Sequence, residues 1–194
     1  MKPLRLLLLA SGRGSHVANL IEATRDGRLA GSVVRVVSDR PDAPALERAR
    51  EFGVPTTVLS PVQNGARLPQ GAEAEFVSIV ERERPDLIAL CGFMRLLRAS
   101  SLERIGVPIL NVHPSLLPQF RGLNAQRQAI EAGVAETGAT VHRVDAGMDT
   151  GAIVLQGKMR INPGESAEEL AERLLPLEYK LYVDAIRKLQ EERT

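Results

Sequence analysis

The run VPILNVHPSLLPQFRG, Val107 to Gly122, changes character in its middle. It opens as a buried strand, with Ile109 and Leu110 leading into Asn111, Val112 and His113. Alternation along a strand puts Asn111 and His113 on one face, two residues apart, and turns Val112 the other way. Pro114 ends the strand because it has no N–H to donate and a fixed φ. Pro118 closes a short loop behind it. An amide and an imidazole are thereby expected side by side at the carboxyl end of a strand, where open α/β sheets bind ligands.

Working outward, GATVHRVDAGMDTGAIVLQ, Gly138 to Gln156, has the pattern of a strand (Ala139, Val141, Val144) running into a glycine-rich turn and then a second strand. The turn carries Asp145 and Asp149. A carboxylate there could reach His113 and orient its ring or hold it protonated. An aspartate before glycine is also an ordinary turn residue, and an Asn-x-His pair alone is a weak signal.

The rest of the chain alternates apolar runs with helical patterns. Strands are expected at 4–10, 32–37, 56–59, 87–91, 109–112, 139–144 and 153–158, and helices at 16–26, 43–51, 71–83, 125–131 and 166–190. This order predicts an α/β fold: a doubly wound, mostly parallel sheet with helices on both faces and an antiparallel strand near the C-terminal end. Ser166 and Glu169 form a capping box for the last helix, and Pro176 should kink or split it. Residues 61–70 are expected to be the most mobile surface.

The 194 residues fit one domain, 1–194, large enough for a proper core. A net charge of +1, with Lys and Arg spread along the chain, gives no footprint for nucleic acid. With no Trp, two Tyr and four Phe, platforms for stacking bases are hard to build. The single cysteine, Cys91, rules out an internal disulfide and indicates a reducing compartment. The apolar run 6–10 is too short for a signal peptide or a membrane span, so no membrane partner and a cytoplasmic location are expected.

Ser11-Gly12-Arg13-Gly14-Ser15-His16 joins the first strand to the first helix. Glycines permit a tight turn, and the helix amino end offers free N–H groups and a positive dipole end, which suits a phosphate. A plain glycine-rich turn remains open. So does a dinucleotide loop with Asp39 gripping a ribose, although Val17 stands where that fingerprint wants a small residue. A Walker loop is excluded because no Gly-Lys-Ser/Thr follows.

NVHPSLLP followed by the Asp-Thr-Gly turn resembles the signature of the folate-dependent formyltransferases. The similarity runs from SGRGS near the amino end to LLPLEY near the carboxyl end. The resemblance implies transfer of a formyl group from 10-formyltetrahydrofolate, the co-substrate, to the amine of glycinamide ribonucleotide in purine synthesis, without a metal. It implies Asn111, His113 and Asp149 as the catalytic set. Gly12, Arg13, Gly14, Ser15 and His16 would hold the nucleotide phosphate, and Glu178 the ribose hydroxyls. Met94, Arg95, Leu96 and Leu97 would line the folate pocket with Asn111, and Arg67 would reach the folate tail. His142, which matches a family histidine, is read as support for the catalytic groups, with a satisfied core histidine as the alternative.

The same resemblance divides the domain into a nucleotide-phosphate half, about 1–100, and a catalytic and folate half, about 101–194, in a monomer or homodimer. His16 departs from the family's usual asparagine, and Asn124 and Gln126 stand where the family often has histidines. Two related branches share the catalytic set. The formyltetrahydrofolate deformylases usually read His-His-Ser where this chain has His113-Pro114-Ser115, and carry an added amino-terminal domain. The methionyl-tRNA formyltransferases usually read His-Gly-Ser and append an RNA-binding domain, which is not expected in a sequence ending at Thr194, although Arg121-Gly122 resembles them. A non-catalytic nucleotide- or folate-binding module is the remaining alternative.

Overall fold

Leu6 to Ala10 are all fully buried, so the first strand must lie inside a sheet covered on both faces. The computed structural model, which describes residues 2–60 and 65–193, places it there. Strand β1 (Leu4–Ala10) is flanked by β2 (Gly31–Ser38) and β4 (Leu87–Leu90), both parallel to it. Outside these lie β3 (Thr56–Val58) on one side and β5 (Ile109–His113) on the other, also parallel. Two antiparallel strands, β6 (Glu136–Arg143) and β7 (Ile153–Arg160), complete the order β3-β2-β1-β4-β5-β6-β7. The order reverses between β1 and β4, and a crevice therefore opens beyond their carboxyl ends.

Alternation along β1 sorts its leucines into two cores. Leu4, Leu6, Leu8 and Ala10 pack with α1 (Ser15–Arg25), α2 (Pro44–Glu51) and α6 (Ala167–Glu191). Leu7 and Leu9 pack on the other face with α3 (Gln70–Glu83) and with Ile105, at the end of α4 (Ala99–Ile105). The remaining helix, α5 (Ala125–Glu131), follows the loop after β5. Tyr182 of α6 is fully buried, and its hydroxyl lies 2.9 Å from the carbonyls of both Leu90 and Leu110. It pins the helix across the ends of β4 and the middle of β5.

The sheet and five of the helices match expectation. Helix α4 was not expected: its ASSLERI run offers only Leu102 and Ile105 as apolar residues, too few for a visible period. Ser166 caps α6 through the full reciprocal box with Glu169. Pro176 does not split that helix, which runs unbroken from Ala167 to Glu191. One missing N–H is tolerated because apolar contacts on both sides of it, Leu170 and Leu174 before and Leu181 to Ile186 after, hold the helix down. The loop expected at 61–70 lies outside the described residues over 61–64. No helix among the described residues is long and apolar enough to cross a membrane.

Candidate active site

The β5–β6 register builds the centre of the site. Asn111 lies opposite His142 and His113 opposite Thr140, so all four side chains share one face of the sheet. Leu110 and Val112 of the other face are buried in the core beneath α6. The amide Nδ2 of Asn111 is 3.2 Å from His142 Nε2. His113 is 5% exposed and His142 3%, so water does little to screen either ring.

Asp149 closes the cluster from the turn between β6 and β7. Its backbone is left-handed, φ 53°, a conformation that aspartate tolerates better than most residues. Oδ2 lies 3.3 Å from His113 Nδ1 and accepts from the Gly122 N–H at 2.9 Å. Oδ1 lies 3.4 Å from His142 Nε2 and 3.5 Å from Asn111 Nδ2. Burial works to raise the carboxyl's pKa. The hydrogen bonds from His142 and Gly122 and the nearby His113 and His142 outweigh it, leaving Asp149 below the usual aspartate value. Asp145 takes the other role on the same turn, accepting from the Gly147 N–H at 3.0 Å and the Thr150 hydroxyl at 2.6 Å. Gly151 is needed there because a Cβ would meet the Arg143 carbonyl at 1.8 Å.

Carbonyl contacts place one N–H on each ring. His113 Nε2 lies 2.8 Å from the Phe120 carbonyl, which can only accept, so this nitrogen carries a proton. His142 Nδ1 faces the Arg143 carbonyl at 2.9 Å and is protonated by the same argument. The loop that brings Phe120 and Gly122 into place is itself held down. Thr140 Oγ1 donates to the Ser115 carbonyl at 2.7 Å and accepts from the Leu117 N–H and the Gln156 amide.

The glycine loop lies at the carboxyl end of β1. Gly14 precedes α1 with φ 77°, and a Cβ on it would come within 2.5 Å of Ala45 Cα. Its glycine is therefore required by the close approach of α2. Gly12 has open space around the position of a Cβ, Arg13 is exposed, and Ser15 is half-buried. His16 turns away from the loop and towards α6. Its Nε2 lies 3.0 Å from Glu178 Oε2, within ion-pair distance, but the N–H direction falls short of a hydrogen bond. Both side chains are nearly buried, and the ring packs edge-on to Tyr179.

Beyond β4, Met94 is 61% exposed and Leu97 is in the core, with Arg95 and Leu96 between them half-buried. Leu96 spends its backbone groups on the segment before α3, donating to Ala66 O at 2.8 Å and accepting from the Leu68 N–H at 3.1 Å. Arg67 pairs with Leu96 there and is exposed. Arg95 Nε donates to Asp39 Oδ2 at 2.8 Å. Ser11 donates to the other oxygen of Asp39 at 2.6 Å. With both oxygens engaged and 3% exposure, Asp39 is not available to a ribose, which removes the basis for a dinucleotide loop.

Asn111, His113, His142 and Asp149 thus come together, as do His16 and Glu178, while Arg67 meets only the backbone of the Leu96 segment. Phe120, Gly122, Thr140 and Gln156 were not anticipated. Phe120 and Gly122 act through backbone groups, Thr140 and Gln156 brace the loop after β5, and only Gly122, after a loop with two prolines, carried a sequence signal. No group of three or more His, Cys, Asp or Glu among the described residues is arranged to hold a metal ion.

The formyl transferase family matches residues 4–186 of the chain. Phosphoribosylglycinamide formyltransferase of Bacillus subtilis (strain 168) is 37% identical over 190 residues, covering 95% of this chain and 94% of that protein. The trifunctional purine biosynthetic protein adenosine-3 of Drosophila melanogaster is 40% identical over 187 residues, and the chain spans only 14% of its length. Among solved structures, glycinamide ribonucleotide transformylase 1 from Symbiobacterium toebii superposes with a TM-score of 0.91 at 41% identity. That superposition covers 98% of this chain and 89% of the other.

Proposed function

The chain belongs to the formyl transferase family, and on that premise we propose that it transfers a formyl group from 10-formyltetrahydrofolate to the amine of glycinamide ribonucleotide. The observation that carries the reading is the Asp149 carboxylate set between two imidazoles, with Asn111 alongside, at the carboxyl end of β5. The glycine loop stands two strands away at the end of β1, a separation of about 10 Å. A phosphate held at that loop leaves the glycyl amine of the nucleotide directed along the edge of the sheet, towards Asn111.

The neutral amine attacks the formyl carbon, and the carbonyl oxygen becomes the oxyanion of a tetrahedral intermediate. Asn111 has two amide N–H groups; one faces His142 and Asp149, and the other serves the oxyanion. The His113 Nε2–H now spent on the Phe120 carbonyl turns to the same oxygen, because a full negative charge is the stronger acceptor. Each such donor is typically worth about 3 kcal/mol in the transition state. Asp149 holds His113 through Nδ1 and relays, through water, the proton that the amine loses. Collapse of the intermediate returns a proton to the folate nitrogen and releases tetrahydrofolate.

Gly12, Arg13, Gly14 and Ser15 form the phosphate loop in this reading, with the free N–H groups at the start of α1 as donors. Glu178 accepts from the ribose hydroxyls, and His16 acts on the nucleotide through Glu178. Met94 to Leu97 line the folate side, with Arg67 at its outer end. In this reading the stretch 1–100 carries both the phosphate loop and the folate-side segment, and Glu178 reaches the nucleotide from the second half of the chain. Cys91, whose thiol burial pushes far up, stays an inert core residue suited to a reducing cytoplasm.

The test is to incubate the protein with 10-formyltetrahydrofolate and either glycinamide ribonucleotide or water alone. One formylated nucleotide per tetrahydrofolate, with negligible folate turnover in water, is expected. Equal folate release without the amine would identify a deformylase, and no turnover in either case a binding module.

A further inference from the structure

Asp39 closes no part of the proposed chemistry, yet it is a buried carboxylate between the two substrate sides. It follows β2 directly and is 3% exposed. A buried charge is costly unless paired and hydrogen-bonded, and here it is both. Oδ1 accepts from the Ser11 hydroxyl at 2.6 Å, and Oδ2 from Arg95 Nε at 2.8 Å. Ser11 opens the glycine loop, and its Oγ also accepts from the Met94 N–H at 3.0 Å. The Arg95 guanidinium reaches on to the Gly65 carbonyl through Nη1. The segment 94–96 is thereby gripped from two sides. Asp39 and Ser11 hold it against the ends of β1 and β2, and residues 65–68 hold the Leu96 backbone.

We infer that Asp39 is a positioning residue for the folate-side segment, setting through Ser11 and Arg95 where Met94 to Leu96 stand relative to the glycine loop. This rests on the proposed reading of Met94 to Leu97 as the folate side. The charge is the part that matters. The carboxylate offers one oxygen to each of two donors, whereas an asparagine can supply an oxygen to only one of them. With Asp39→Asn, either Arg95 Nε or the Ser11 hydroxyl faces an amide that donates back at it, and the Met94–Arg95 stretch loses one of its two anchors.

The experiment compares wild type with Asp39→Asn, titrating 5-formyltetrahydrofolate, an unreactive formyl folate, and inorganic phosphate as the probe of the glycine loop. Kinetic constants and thermal midpoints are measured in parallel. The folate Kd and KM are expected to rise about tenfold, the scale of one lost charge-assisted hydrogen bond. Turnover at saturating folate should stay within about threefold of wild type, since a binding interaction shared by ground and transition states moves KM alone. If Asp39→Asn does not fold, Arg95→Gln should weaken folate to the same degree. Where all three variants fold, the double variant should be no worse than either single one, because the two residues act as one pair. A lower thermal midpoint with unchanged folate affinity would reduce Asp39 to a structural role and overturn the inference alone. So would weakening by Arg95→Gln without weakening by a folded Asp39→Asn, which would put Arg95 itself on the ligand. Wild type failing to bind the folate would remove both this inference and the function it rests on.

Discussion

The proposed catalytic corner and the proposed nucleotide corner are built in opposite ways. Around Asp149, the contacts run between two paired strands, the β6–β7 turn and the loop after β5: β5 and β6 set Asn111 opposite His142, and the chain from Pro114 to Gly122 supplies a carbonyl and an N–H. Each side chain there already meets a partner, so a substrate must outbid the Phe120 carbonyl for the His113 proton. Around Glu178, the contact is a single approach between side chains from the two ends of the chain. His16 Nε2 is buried and close to the carboxylate, but not aligned with it. A site whose groups are mutually satisfied is preorganised for charge that develops during reaction. A site with a buried, misaligned polar pair is set up for a ligand that completes it.

That contrast predicts which kinetic constant each corner controls. The largest effect belongs to the catalytic side. Asp149→Asn keeps size and one acceptor oxygen but removes the charge between the two imidazoles. kcat is expected to fall by about a hundredfold or more with both substrates still binding, the usual scale for losing an acid–base partner. A change confined to KM would erase the distinction between the corners.

On the nucleotide side, Glu178→Ala should raise the nucleotide KM by about tenfold or more, the scale of lost hydrogen bonds to a charged group. Saturating nucleotide should recover most of kcat. Steady-state kinetics with nucleotide varied measures this, and an unchanged KM would remove Glu178 from the site.

The two glycines of the proposed phosphate loop sharpen the comparison further. Gly14→Ala places a Cβ against Ala45 on a left-handed backbone, so stability should drop by on the order of 2 kcal/mol whatever the ligand. Gly12→Ala meets open space, so denaturant midpoints should hold while the nucleotide KM rises by about threefold to tenfold through obstruction of a close approach. Loss of stability at Gly12 together with loss of nucleotide binding at a stable Gly14 variant would reverse the assignment.

The smallest effect is in acid. The Asp149 pKa is depressed below its ordinary value of 3.8. Its contribution to stability is therefore complete above the unfolded value and is lost as pH falls through the folded one. As pH falls below about 4, wild type should lose more stability than Asp149→Asn, as denaturant unfolding at each pH will show. Parallel losses would mean that the carboxylate gains nothing from its two imidazoles.

The parts of this molecule that were legible in the sequence are those decided locally. The unbroken Leu6–Ala10 run marked the first buried strand, Asn111 and His113 shared a face by alternation, and Ser166 with Glu169 marked the start of α6. The family resemblance singled out Asp149 and Glu178. What stayed hidden depends on groups that composition does not show. The Phe120 carbonyl and the Gly122 N–H are backbone atoms that any residue could supply. The Ser11–Asp39–Arg95 network and the His16–Glu178 approach join residues far apart in the chain, so no spacing announces them. Gly14 looked like a residue freed for phosphate, and the structure adds the reason that Ala45 leaves no room for a side chain.

The central claim is that His113 and Asp149 act as one unit. Turnover of Asp149→Asn, His113→Asn and the double variant, at saturating folate and nucleotide and with folding checked separately, tests it most directly. The account predicts that both single variants are strongly impaired and that the double variant is little worse than either. Near-wild-type turnover in folded Asp149→Asn, or losses that multiply fully in the double variant, would contradict it.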